Sequence, residues 1–177
     1  MILDEKDFLT FQLYNASKTP RIRNTRIRNW ILFVFLMFCL AYLFSDRDDN
    51  FLKYYFLSMG VTGVFIYPLY SRWWHRRHYT KFVHDTYNDR IGLDSTLTFT
   101  PDTIQCKDRT GEMFIYKSEI EAIDVIPGYY FLKIKGGGTM ILPKAKVDKL
   151  EEVEHEIRTL LDRGDIKHTI DLKWKWR

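Results

Sequence analysis

Cysteine is nearly absent: the 177 residues hold two, Cys39 and Cys106. Two thiols do not make a disulfide framework. Cys39 lies inside an apolar run and Cys106 in an expected strand, so a bridge would have to leave the membrane that the run implies. Reduced thiols on a cytosol-facing protein are expected. No cysteine or carboxylate pair completes a tetrahedral metal set with His75, His78 and His84, and Arg76, Arg77 and Lys81 crowd that stretch. These histidines read as interfacial, and the isolated His155 and His168 as surface residues. Gly136-Gly137-Gly138 joins two expected strands, opens no helix and has no Lys-Ser/Thr after it, so it reads as a hairpin loop rather than a phosphate cradle. Glu151, Glu152, Glu154 and Glu156 read as a solvated helix face. The expectation is no enzyme, no cofactor and no metal.

Charge is also missing where it matters most. Residues 30–44 carry none, and residues 54–71 carry none. Ten of the first fifteen are Ile, Leu, Phe or Val, worth about −3 to −6 kcal/mol on the insertion scale before backbone terms. Fifteen residues at 1.5 Å rise span only about 23 Å of a core about 30 Å thick. Local thinning, extension through Asn29 and snorkelling of Arg28 can close that gap. A transmembrane helical hairpin is expected over residues 30–74, with helices at about 30–45 and 53–74 and an outer turn at 46–50. A run apolar on every face does not suit a small soluble domain. No cleavable signal peptide is expected, because the first run starts only at Trp30 without a convincing cleavage site; it reads as an uncleaved signal anchor.

What surrounds the runs sets the expected topology. Arg21, Arg23, Arg26 and Arg28 precede the first, and Arg72, Trp73, Trp74, Arg76, Arg77 and Lys81 follow the second. The turn between holds Asp46, Asp48 and Asp49 against one arginine, Arg47. This bias places both termini in the cytoplasm of a multi-pass inner-membrane protein, with the basic and Trp residues at anionic headgroups. Four arginines abutting a membrane segment need no nucleic acid to explain them, and none is expected as a partner. Gly60 and Gly63, beside Ser58 and Thr62, would let the two helices approach, and Pro68 should kink the second.

Residues 1–29 read as a cytoplasmic amphipathic segment: Asp4 or Asp7 could cap a helix carrying Phe8, Phe11 and Tyr14, ended by Thr19-Pro20. Residues 82–164 read as one small cytosolic domain. From Ser95 apolar residues alternate: Leu97 and Phe99, then Ile104 and Cys106, then 113–116, then Ile120, Ile123 and Val125, then 129–135 and 139–142. That is an antiparallel meander of five or six strands. Asp148 with Glu151 suggests a capping box for a helix whose stripe is Leu150, Val153, Ile157, Leu160 and Leu161, stopped by Gly164. The fold class is thus α+β. The tail, residues 165–177, alternates Ile170, Leu172, Trp174 and Trp176 with Lys173, Lys175 and Arg177. It reads equally as an edge strand or as a membrane-interface segment.

Four stretches carry a resemblance: Phe8-Leu9-Thr10-Phe11-Gln12-Leu13-Tyr14 before the arginines; Ser95-Thr96-Leu97-Thr98-Phe99-Thr100-Pro101-Asp102; Tyr130-Phe131-Leu132-Lys133-Ile134; and Ile141-Leu142-Pro143-Lys144 before the last helix. In these the chain resembles the YcxB-like family of small bacterial membrane proteins. The resemblance implies a membrane hairpin plus a C-terminal pleckstrin-homology-like domain, a bent antiparallel sheet closed by one helix, and it brings no catalytic motif. The tail beyond Asp162 departs from that pattern. The expected function is a non-enzymatic inner-membrane protein whose cytosolic module binds a partner protein or its own copy. Immunity against a bilayer-targeting toxin and anionic-lipid sensing are the alternatives.

Overall fold

The computed structural model describes residues 1–45, 50–162 and 164–176; Asp46, Arg47, Asp48 and Asp49 of the expected outer turn and Arg177 of the tail lie outside the described residues. The chain is α+β, with three helices followed by two sheets and a fourth helix. It divides into two compact units, one of Met1–Phe11 with Phe82–Trp176 and the other of Gln12–Lys81. Residues 1–11 therefore fold with the C-terminal sheets, a grouping that the sequence reading, which kept 1–29 apart, did not anticipate.

In the unit of Gln12–Lys81, Thr19-Pro20 both stops one helix and starts the next. Helix α1 (Glu5–Lys18) ends there, and α2 (Pro20–Leu43) opens with proline at its first turn and Thr19 extended before it. At 1.5 Å per residue the 24 residues of α2 reach about 36 Å. The arginine-rich stretch is therefore the first turns of the apolar helix itself. Its mean hydropathy over the most apolar window is 1.6, and it is long and apolar enough to cross a membrane. Helix α3 (Phe51–Tyr87) runs 37 residues, with Pro68 inside it. Its tyrosines, glycines, Ser58, Thr62 and Lys53 leave it less apolar, and α2 is the helix among the described residues that meets the length-and-composition test.

α2 and α3 touch along their length in antiparallel order. Phe44 stacks on Phe56 (5.6 Å between centroids) and Phe33 on Tyr67 (6.0 Å). Gly60 faces Met37 and Phe38, and a Cβ on Gly63 would lie 2.5 Å from a Phe33 ring carbon. The small residues thus admit the close approach expected of them.

In the other unit, β1 (Thr96–Phe99), β2 (Thr103–Asp108) and β3 (Gly111–Tyr116) form an antiparallel sheet. Asp108 shapes the β2–β3 turn by accepting from the Thr110 amide (2.7 Å) and hydroxyl and from the Gly111 amide. A second sheet is ordered β6 (Thr139–Pro143), β5 (Tyr129–Ile134), β4 (Ile120–Ile126), β7 (Lys167–Ile170). The Gly136-Gly137 turn, at positive φ in both residues, joins β5 to β6. Between β6 and β7 lies α4 (Leu150–Asp162), closed by Gly164 at φ +74. It begins one residue later than an Asp148 cap would set it: the Val153 amide bonds to the Lys149 carbonyl.

Sheet register divides the core cleanly. Ile123 pairs with Leu132 and Val125 with Tyr130, and this face meets Val153, Ile157 and Leu160 of α4, together with Ile104 and Ile115 of the first sheet. On the opposite face Asp124 pairs with Phe131 and Ile126 with Tyr129. That face is covered by the start of α1, where Phe11 packs edge-on against Phe131 at 5.4 Å. β7 departs from a pure meander. It lies parallel to β4, because α4 carries the chain back across the sheet before residues 167–170 pair.

Candidate functional site

The residues marked by the sequence fall on two helices and the tail. Arg21, Arg23, Arg26 and Arg28 occupy the first turns of α2; Arg72, Trp73, Trp74, Arg76, Arg77 and Lys81 lie on α3. Most are exposed, but Arg26 is half-buried. The exposed ones organise among themselves: the Arg77 guanidinium sits 5.5 Å over the Trp73 ring, and Trp74 stacks on His78 at 5.6 Å.

Three of the marked residues share a cavity of about 370 Å³. Arg21 and Arg26 line it from α2 with Ile22, Thr25 and Asn29; Trp74 lines it from α3 with Tyr67, Tyr70, Ser71 and His75. The helical period explains the set. Residues 22, 26 and 29 lie three and four apart, as do 67, 71, 74 and 75, so each group forms one stripe. His75 donates from Nδ1 to the Ser71 carbonyl one turn back (2.7 Å), and Ser71 is buried. That bond orients the ring.

The cavity lining has two arginines and no carboxylate. Between residues 12 and 81 the carboxylates are Asp46, Asp48 and Asp49, all in the expected outer turn. Sequence reasoning missed Ser71 and Asn29 because neutral polar residues near a helix end carry no signal alone. His75 was read as merely interfacial, although its spacing from Ser71 and Tyr67 could have shown the stripe.

A second polar cluster lies in the other unit. Asp7, 2 % exposed, accepts from the Tyr129 hydroxyl (3.0 Å) and from Lys146 Nζ (2.6 Å), and Lys146 also pairs with Asp4 (2.7 Å). Asp4 and Asp7 cap α1 reciprocally, each amide donating to the other's carboxylate (2.9 and 3.2 Å). The Lys146 bond holds the Asp4 carboxyl below its ordinary value. Burial raises Tyr129. Burial, with the bond it donates to Glu154, pushes Tyr130 up to about 12. Asp4, Asp7, Tyr129 and Lys146 tie the start of α1 to the sheet, and the Tyr130–Glu154 bond ties α4 to it.

The tail divides. Residues 167–170 form β7, the Asp171 amide bonds to the Val125 carbonyl, Trp174 and Trp176 are half-buried, and Lys175 is exposed. Cys39 and Cys106 are both free thiols. No group of three His, Cys, Asp or Glu suited to a metal ion occurs among the described residues. No family model matches the chain, and no curated protein or solved structure is significantly similar to it.

Proposed function

We propose that the chain is a non-enzymatic bacterial inner-membrane protein of the YcxB-like type. In this reading α2 and α3 form a transmembrane hairpin and both chain ends are cytoplasmic. The unit containing the sheets is a pleckstrin-homology-like module that binds a partner protein or a second copy of itself. One observation carries the membrane part. Only 6 % of the most apolar stretch of α2 is buried within the chain. Ile31, Leu32, Phe35 and Leu36 are each more than half exposed, as are Phe65, Ile66 and Leu69 of α3. A core helix of a water-soluble domain would have that surface covered; lipid is the solvent that tolerates it. The arginines toward the ends of both helices that lie away from their connecting turn support the cytoplasmic orientation.

Two sheets and a closing helix around one core support the module, as does an open edge. β3 is the outer strand of its sheet, and its Met113, Phe114 and Tyr116 are 55–60 % exposed. An exposed apolar edge strand is a ready site for strand addition. Support for a non-enzymatic role comes from the buried carboxylates: Asp7 is bonded by Lys146 and Asp124 by Lys133 at 2.7 Å.

The test is photocrosslinking in native membranes from Phe114 and, separately, from Asp48. A discrete protein adduct from Phe114 names the partner or a second copy. Adducts from Asp48 alone overturn the cytosolic-module reading and leave toxin immunity in its place.

A further inference from the structure

We infer that the cavity between α2 and α3 is a binding site for one phosphate group, carried by an anionic phospholipid or by a soluble phosphate ester. The inference rests on the membrane reading for the lipid source and deepens it, because it replaces a diffuse basic belt by one built pocket. Arg21 and Arg26 both line a space of about 370 Å³ that no carboxylate lines, within the range of small-molecule pockets. Two arginines lining one cavity suit a phosphate, since each guanidinium is able to donate in pairs. Thr25, Asn29 and Ser71 add neutral hydroxyl and amide groups to the wall, and such donors fix a phosphate or a glycerol hydroxyl without adding charge.

Charge also selects the headgroup. Choline and ethanolamine headgroups carry a cation beside the phosphate. In this cavity that cation would meet Arg21 and Arg26 with no carboxylate to pair it. Glycerol-type anionic headgroups carry no such cation and are preferred. Trp74, 48 % exposed and on the cavity wall, sits where an aromatic ring marks the membrane–water boundary. Basic pockets between membrane helices on the cytoplasmic side are the general form of such sites.

The experiment uses the full chain in nanodiscs of phosphatidylcholine alone or with one-fifth phosphatidylglycerol, reading bound lipid by native mass spectrometry and Trp fluorescence. Retention of phosphatidylglycerol should fall about tenfold in Arg26→Gln and in Arg21→Gln. It should change less than twofold in Arg23→Gln and Arg76→Gln, which remove equal charge from residues that do not line the cavity. Arg21 is exposed, so its variant folds even if Arg26→Gln does not. Equal losses in all four variants would overturn the site in favour of diffuse attraction. A parallel titration with glycerol 3-phosphate separates the sources. Competition at millimolar concentration assigns the cavity to a soluble ester, and its absence assigns it to the lipid. A chain that enters nanodiscs but shows neither a phosphatidylglycerol preference nor glycerol 3-phosphate binding refutes the site alone. A chain that does not enter nanodiscs refutes the membrane reading, and the glycerol 3-phosphate titration still decides the site.

Discussion

Replacing Gly63 by alanine tests the packing of α2 on α3 at its tightest point. The added Cβ would lie 2.5 Å from Phe33 Cε1 and 3.1 Å from Cδ1, against about 3.5–4.0 Å for comfortable carbon contacts. The Phe33 ring must move about 1 Å, and it is stacked on Tyr67. Overpacking of this kind costs about 1–3 kcal/mol, and loss of the ring pair about 0.5–1.5 kcal/mol. Alanine returns about 1 kcal/mol of helix propensity. The net is a destabilisation of about 1–3 kcal/mol, read as reversible unfolding of the full chain in mixed micelles. Gly60→Ala is the internal comparison. Its Cβ would meet Met37 Cβ at 3.3 Å and Phe38 at 3.5 Å, so the helical gain roughly cancels the crowding. Phe33→Leu should rescue Gly63→Ala by removing the ring atoms in its way. Equal stability of the two alanine variants, or no rescue, would refute this account of the interface.

Three further outcomes follow from the sheet-containing unit. Asp7→Ala leaves Lys146 and Tyr129 without their buried acceptor and should cost about 2–4 kcal/mol in thermal melts, less than a fully buried pair because Lys146 is partly exposed. Ile157→Ala, at 2 % exposure in the core, should cost about 2–5 kcal/mol by urea unfolding. Acid should also loosen α1. Asp4 is held below its ordinary value by Lys146, so its contribution is present above about pH 4 and is lost as pH falls through the folded value. Melts that show no loss between pH 6 and pH 3, or loss undiminished in Asp4→Asn, would contradict this.

The sequence disclosed what is local and periodic. Val153, Ile157 and Leu160 show their shared face by spacing alone, and the triple glycine and Asp108-Arg109-Thr110-Gly111 announce turns that the structure contains. Long-range partners left no mark. Asp7 reaches Tyr129 and Lys146 across 122 and 139 residues, so nothing near Asp7 said that α1 begins inside the sheet-containing unit. β7 was half legible: the tail read equally as an edge strand or an interface segment, because residues 167–170 are all exposed, and its parallel pairing depends on where α4 returns the chain. The cavity was half legible. Charge marked Arg21 and Arg26 and the aromatic belt marked Trp74, whereas Ser71 and Asn29 acquire meaning only when two helix stripes are brought together.

The central claim is that lipid covers the bare face of α2. Single cysteines at Phe35, Leu36 and Arg23, each in a background with both Cys39→Ala and Cys106→Ala, should be probed with a membrane-impermeant maleimide in intact vesicles and after detergent. The account predicts that Arg23→Cys reacts from the cytoplasmic side at once, and that Phe35→Cys and Leu36→Cys react only after solubilisation. Rapid labelling of Phe35→Cys and Leu36→Cys in intact vesicles would show that water reaches this face and that α2 does not span the bilayer.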